Sequence, residues 1–265
     1  MESVYALAYQ ALMEPNPGHK CQLVEALHHA WCEQTLLRCV EQPVVSIEIA
    51  GRPDRPQLVD PRKVPRRSLA SEQGRKAMLH AIAHIEFNAI NLALDAVYRF
   101  RDLPDDYVGD WLSVARDEAR HFQLVDQYLL ELGSGYGDFS AHNGLWDMAC
   151  KTDHDVLHRM ALVPRVMEAR GLDVTPGLMA RFRQAGDARA EDILQVIYQE
   201  EIGHVAIGNR WYQHCCKLRG VEPEATFRQL LQSYLDGPLR GPFNHPARIS
   251  AGFSSDELRQ LENSL

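Results

Sequence analysis

The chain has 265 residues, 45% of them hydrophobic, enough for a buried core in one large domain or two small ones. Its net charge of −8 argues against a general nucleic-acid binder, leaving only a particular RNA such as a tRNA open. Six cysteines without a C-x-x-C pair encode neither a zinc nor a rubredoxin-type iron site and fit reduced thiols of a cytoplasmic protein. Met1-Glu2-Ser3 opens with no basic stretch before an apolar run, and no apolar run approaches ~18 residues, so neither a signal peptide nor a membrane span is expected.

The pattern predicts an all-α protein. Residues 3–13 and 19–40 read as two N-terminal helices broken by Pro15-Asn16-Pro17-Gly18. Over 41–70, Pro43, Pro53, Pro56, Pro61 and Pro65 preclude a helix; Val44-Val45-Ser46-Ile47 suits a short extended piece, and the segment is expected to wrap the bundle. Ser71 is an N-cap candidate for a helix to about Phe100, followed by the turn Arg101–Asp105 and a helix from about Tyr107 to Leu132. A glycine-rich connection covers 133–144. A third helix lies within 145–170, kinked by Pro164, and Gly171–Gly177 is expected to interrupt it before a short helix to about Ala185. A fourth helix is expected from Asp187 to Cys216, a further one near 222–235, and a capping box at Ser254-x-x-Glu257. The expected divisions are 1–70 (N-terminal helices and proline-rich wrap), 71–216 (a four-helix bundle) and 217–265 (a helical wrap), packed as one domain.

Two motifs carry the chemistry, Glu118-x-x-His121 and Glu201-x-x-His204. Glu86 precedes Glu118 by 32 residues and Glu168 precedes Glu201 by 33. On a helix, residues three apart lie about 60° apart around the axis and roughly 4.5 Å along it, so both side chains reach one point. A lone glutamate on the antiparallel neighbour supplies a carboxylate from across the core. Residue 102, midway between Glu86 and Glu118, falls in the expected turn, so a hairpin sets the two at one height. The midpoint of Glu168 and Glu201 falls at Gln184–Ala185, next to Gly186 but away from the expected break at Gly171. Four carboxylates and two imidazoles in two half-sites form the ligand set of a bundle holding two iron ions, with manganese or a mixed pair as the alternative. Two divalent cations would balance the four carboxylate charges; without them the buried acids would repel and take up protons. With 18 Glu and 12 His, about one Glu-x-x-His arises by chance (18 × 12/265). Glu25-x-x-His28 reads as that accident, because no glutamate precedes it at the matching distance.

Around the motifs, Asp117 and Glu200 each stand four residues before a histidine and could orient it. Tyr198, one turn before Glu201, is either a proton donor to bound oxygen or a packed core tyrosine. Trp111 and Trp211 read as core, and His80 and His84 as hydrogen-bonded or surface residues rather than ligands. His142, His154 and His158 carry no clear chemistry. Arg52, Arg55, Arg62, Lys63, Arg66 and Arg67 either bind an anionic substrate or pair with carboxylates.

Several runs, among them Gly51-Arg52-Pro53-Asp54-Arg55-Pro56, His80-Ala81-Ile82-Ala83-His84-Ile85-Glu86, Asp117-Glu118-Ala119-Arg120-His121-Phe122, Glu201-Ile202-Gly203-His204 and Gly241-Pro242-Phe243-Asn244, resemble a bacterial ferritin-like family of unknown function. The resemblance covers roughly residues 45–255 without departure at the six ligand positions; tRNA hydroxylases and rubrerythrins resemble the chain less closely. It implies a ferritin-like four-helix bundle with a dinuclear site. The expected activity is a di-iron oxidoreductase that activates O₂ or peroxide, in the manner of a monooxygenase, on an unknown small or anionic substrate. A separate reductase would supply electrons, and the chain would act as a monomer or homodimer. The rival expectations are a dimanganese or di-iron peroxide-consuming protein and a non-catalytic iron-handling protein.

Overall fold

The computed structural model describes residues 2–39, 42–65 and 67–263, and all its regular elements are helical; Arg66 lies outside the described residues. The chain divides into two compact units, Met1–Cys150 and Lys151–Leu265.

In the first unit Asn16 caps α2 (Pro17–Cys32) by accepting from the His19 amide, 2.9 Å. Helix α2 packs with α1 (Val4–Met13) and ends well before residue 40. Gln34 takes a positive φ of 55°, and Leu37 then exchanges backbone hydrogen bonds with Glu2 and Val4, so residues 35–39 pair with the N-terminal segment instead of extending the helix. Residues 42–65 form no strand; the Val45 amide donates to the Tyr98 hydroxyl, and the only helical turn is Pro61–Lys63. This segment is pinned to its own unit by Trp146 Nε1 donating to the Glu48 carbonyl (3.0 Å) and by a parallel bridge between Leu58 and Ala141.

Ser71 caps α3 (Glu72–Arg99) as its position predicts, its Oγ accepting from the Gly74 amide. Helix α4 (Asp105–Glu131) opens on two aspartates suited to the positive end of the helix dipole. The two pack along their length as an antiparallel hairpin. Helix α3 is long and apolar enough to cross a membrane by length and composition, which the sequence reading did not anticipate; most of that stretch is buried inside the protein. Buried Lys20 ties three helices together, donating to the carbonyls of Ala11 and Leu12 at the end of α1 and to Asn91 Oδ1 on α3 (2.6 Å). Helix α5 (Gly144–Lys151) completes the unit.

The second unit departs from expectation in its helices: the stretch 145–170 holds two, Gly144–Lys151 and Val156–Leu162, instead of one. Helix α6 (Val156–Leu162) passes through a π-helical turn, Val163–Glu168, straight into α7 (Ala169–Gln184), with no break at 171–177. Proline tolerates this because both of its costs are met. Pro164 lies in the widened turn, against Gly208 of α8 (Ala188–Arg219), where a Cβ would come within 2.1 Å of the proline ring. Pro176 denies the Leu172 carbonyl its helical donor, and Asn244 Nδ2 supplies another at 3.0 Å. Gly186, with φ 76°, makes the turn into α8, which Asp187 caps by accepting from the Ala190 amide. The α7–α8 hairpin therefore turns close to the Glu168–Glu201 midpoint, as α3–α4 does at its own. Helix α9 (Pro223–Tyr234), α10 (His245–Ser250) and α11 (Ser255–Asn263) close the chain. Ser254 accepts from the Glu257 amide, but Glu257 does not complete the capping box: its carboxylate pairs with buried Arg165, which also donates to Asn209 and lies over the Tyr212, Phe227 and Phe253 rings.

Gly208→Ala should cost about 1–3 kcal/mol, read as a lowered urea midpoint, because the added methyl strikes the Pro164 ring. Burial pushes His80 and His84 down from 6.5 to about 4, so on acidification the unfolded chain takes up protons before the folded one does. Neither histidine affects stability above their unfolded value; both subtract from it as pH falls through the window from 6.5 to about 4. His80→Gln, which keeps an acceptor for the Gly137 amide, should remove about 2 kcal/mol of the stability lost between pH 7 and pH 5. An equal loss in parent and variant would exclude His80 as a source.

Candidate metal centre

Helix periodicity and the hairpin bring three of the six predicted ligands together in the first unit. Glu86 comes from the middle of α3, and Glu118 and His121 from the same turn of α4. His121 Nδ1 lies 3.4 Å from Glu86 Oε2 and 3.4 Å from Glu118 Oε2. One ligand atom from each of the three lies within 4.8 Å of the others, and all three side chains are buried. Burial pushes the Glu86 carboxyl up to about 7, with His121 opposing the shift and Glu118 adding to it. Burial pulls the His121 imidazole down, but Glu118 and Glu86 more than offset it and hold the ring up at about 11.

The second motif repeats this local geometry on α8, with His204 Nδ1 3.3 Å from Glu201 Oε1. His204 is buried and the Glu201 side chain 14% exposed. Glu168 ends the π-helical turn, with its Oε2 out of solvent. In both motifs the nitrogen turned to its own glutamate is Nδ1, a likeness the bare spacing does not dictate. By contrast, Glu25 is exposed and His28 half-buried on α2, as suits a chance match.

The flanking residues separate as follows. Trp111 and Trp211 are core, 1% and 4% exposed. His80 accepts at Nε2 from the Gly137 amide, with its Nδ1 buried and without a hydrogen-bond partner, and His84 hydrogen-bonds Tyr136. Arg116 donates to Asp117. The Tyr198 hydroxyl accepts from Asn244 Nδ2 at 2.9 Å, a partner the sequence reading did not pick out although Asn244 lies in one of the runs it singled out. His154 and His158 gather about the Tyr234 hydroxyl. Among the basic residues of 52–67, Arg52 donates to the carbonyls of Pro53 and Pro56, Arg62 faces Asp60, and Arg67 lies over the Phe139 ring.

Residues 13–259 match a family described as "Protein of unknown function (DUF455)". The chain belongs to that family. It is similar to an "Uncharacterized protein" of Haemophilus influenzae (strain ATCC 51907 / DSM 11121 / KW20 / Rd), 49% identical over 258 residues that cover 94% of this chain and 90% of the relative. No solved structure matches the chain.

Within this family member, the Glu86–Glu118–His121 cluster fits a metal ion on its own geometry. Two ligands on opposite sides of one ion at bonds of about 2.1 Å stand about 4.2 Å apart, so small side-chain rotations close the cluster on a cation. Two carboxylates and an imidazole, with no thiolate, suit a first-row transition ion. A cation also answers the electrostatic problem of two acids buried side by side. Glu118→Gln should at least halve the metal retained after purification without chelator, measured by elemental analysis. Unchanged metal content would place the metal elsewhere.

Proposed function

We propose that the α3–α4 and α7–α8 hairpins are the halves of a ferritin-like four-helix bundle. Glu86, Glu118 and His121 with Glu168, Glu201 and His204 would hold two metal ions, iron in the first place, for an oxidoreductase that activates O₂ or peroxide. The observation that carries the reading is the duplication: two hairpins each turn at the midpoint between a lone glutamate and a Glu-x-x-His whose Nδ1 faces its own glutamate. A dinuclear iron centre, when bound, supplies redox equivalents and a Lewis-acidic site for oxygen chemistry.

The chain's own residues have three tasks in this reading. The carboxylates balance the cations' charge and fix their separation, because their helices are held rigidly as hairpins. Burial around Glu86, Glu118 and His121 keeps bulk water from the cluster. Tyr198 accepts from Asn244, so its own O–H remains to donate toward a ligand. No flavin or rubredoxin motif is present in the sequence, so electrons would come from a separate donor, and the substrate would be a small organic or anionic molecule.

Protein purified without chelator should contain about two metal ions per chain, mostly iron, and its near-ultraviolet absorption should bleach on anaerobic reduction and return in air. Tyr198→Phe should keep both ions and slow that return. One ion per chain, or a redox-silent metal, would overturn the dinuclear oxidoreductase; hydrogen peroxide consumed without reductant by a manganese-loaded protein would favour the peroxide reading instead.

A further inference from the structure

Helix α3 carries a second buried polar face, turned away from Glu86. His84, Asn88 and Asn91 lie about 140–160° around the helix axis from that glutamate. With Arg52, Phe87 and Trp146 they line a cavity of about 210 Å³ inside the first unit. Its polar atoms have fixed roles. Asn91, 1% exposed, gives its Oδ1 to the Lys20 ammonium, so its amide nitrogen is the group left over. Asn88, 6% exposed, donates from Nδ2 to the His84 carbonyl, which leaves its Oδ1 as an acceptor. His84 is fully engaged: Nε2 donates to the His142 carbonyl at 3.0 Å and Nδ1 accepts from the Tyr136 hydroxyl at 2.8 Å. Arg52 Nη1 donates to the carbonyls of Pro53 and Pro56, and among the described residues nothing accepts from its Nη2 or Nε.

The cavity therefore offers a guanidinium edge, the Asn91 amide donor and the amide acceptors of Asn88 and of Asn143, whose Nδ2 donates to Asp147, beside the Phe87 and Trp146 side chains. These groups line the cavity and are not used up by protein partners among the described residues, so they are available to a small polar ligand. We propose that the cavity binds a small organic carboxylate carrying its own hydrogen-bond donor, such as a 2-hydroxy acid. Arg52 and Asn91 Nδ2 take the carboxylate, Asn88 Oδ1 accepts from the hydroxyl, and the two rings cover the carbon skeleton. A single arginine and largely apolar walls suit a monocarboxylate better than a phosphate. The volume lies below the roughly 300–1,000 Å³ typical of drug-sized ligands, so the occupant is small. This site lies on the far side of α3 from Glu86 and shares no residue with the proposed metal ligands.

The test is calorimetric titration of the full chain with lactate and mandelate, with mandelamide as the uncharged control of mandelate's shape. Saturable binding of one acid per chain is expected, with mandelamide at least about tenfold weaker. Arg52→Gln and Asn88→Leu, checked for folding by circular dichroism, should each weaken the acid about tenfold or more; if Asn88→Leu does not fold, Arg52→Gln decides. Glu118→Gln should bind the acid as the parent does, so failure of the metal reading leaves this result standing. Failure of both acids to bind, or binding unchanged in the variants, means that the cavity holds only water and overturns the proposal.

Discussion

The structure turns on placing two carboxylates and an imidazole side by side where water does not reach. Glu86, Glu118 and His121 are all but fully buried, within 4.8 Å of one another. Burial disfavours the charged forms of the acids, and the response is visible in the cluster: Glu86 rises to about 7 while the two acids hold His121 protonated up to about 11. A chain selected only for stability would fill this place with apolar side chains, since buried ionic groups seldom repay their desolvation. Such a cluster makes physical sense when a cation supplies the balancing charge. The rest of the first unit keeps the arrangement rigid, through the Ser71 cap, the Lys20 tie between α1, α2 and α3, and the proline-rich segment fastened at Glu48 and Ala141.

The second unit reaches a similar hairpin by a less regular route. Two prolines that should break a helix are accommodated by neighbours distant in sequence. Gly208 leaves room for the Pro164 ring, and Asn244 replaces the donor that Pro176 lacks. Glu168 stands at the end of the widened turn, so its direction is set by the π-helical geometry and not by a regular helix. A π-helical turn of this kind shifts the register of the helix and so re-aims the side chains that follow it. Asn244 also donates to Tyr198, and its own amide donates to Asp173, which pairs with buried Arg248; one C-terminal residue thereby organises the surroundings of α7 and α8.

Much of this was legible beforehand because helix spacing is local information. Ser71 as a cap, the turn near residue 102, and the pairing of Glu118 with His121 and of Glu201 with His204 all follow from periodicity over a few residues. What misled was also local. Gly171–Gly177 has the composition of a break, and residues 33–39 continue a helical pattern, yet in each case a partner far along the chain decides the backbone: Asn244 for the first, the N-terminal Glu2–Val4 segment for the second.

The sequence by itself therefore determined the helical class and the two Glu-x-x-His pairs, because side chains three apart on a helix must share a face. It could not determine how long α7 runs, that Glu257 abandons its cap for Arg165, or that a cavity lies behind Glu86 with Asn88 and Asn91 turned into it. Those outcomes depend on donors and acceptors brought together from positions tens of residues apart, and only packing in three dimensions says which of them meet.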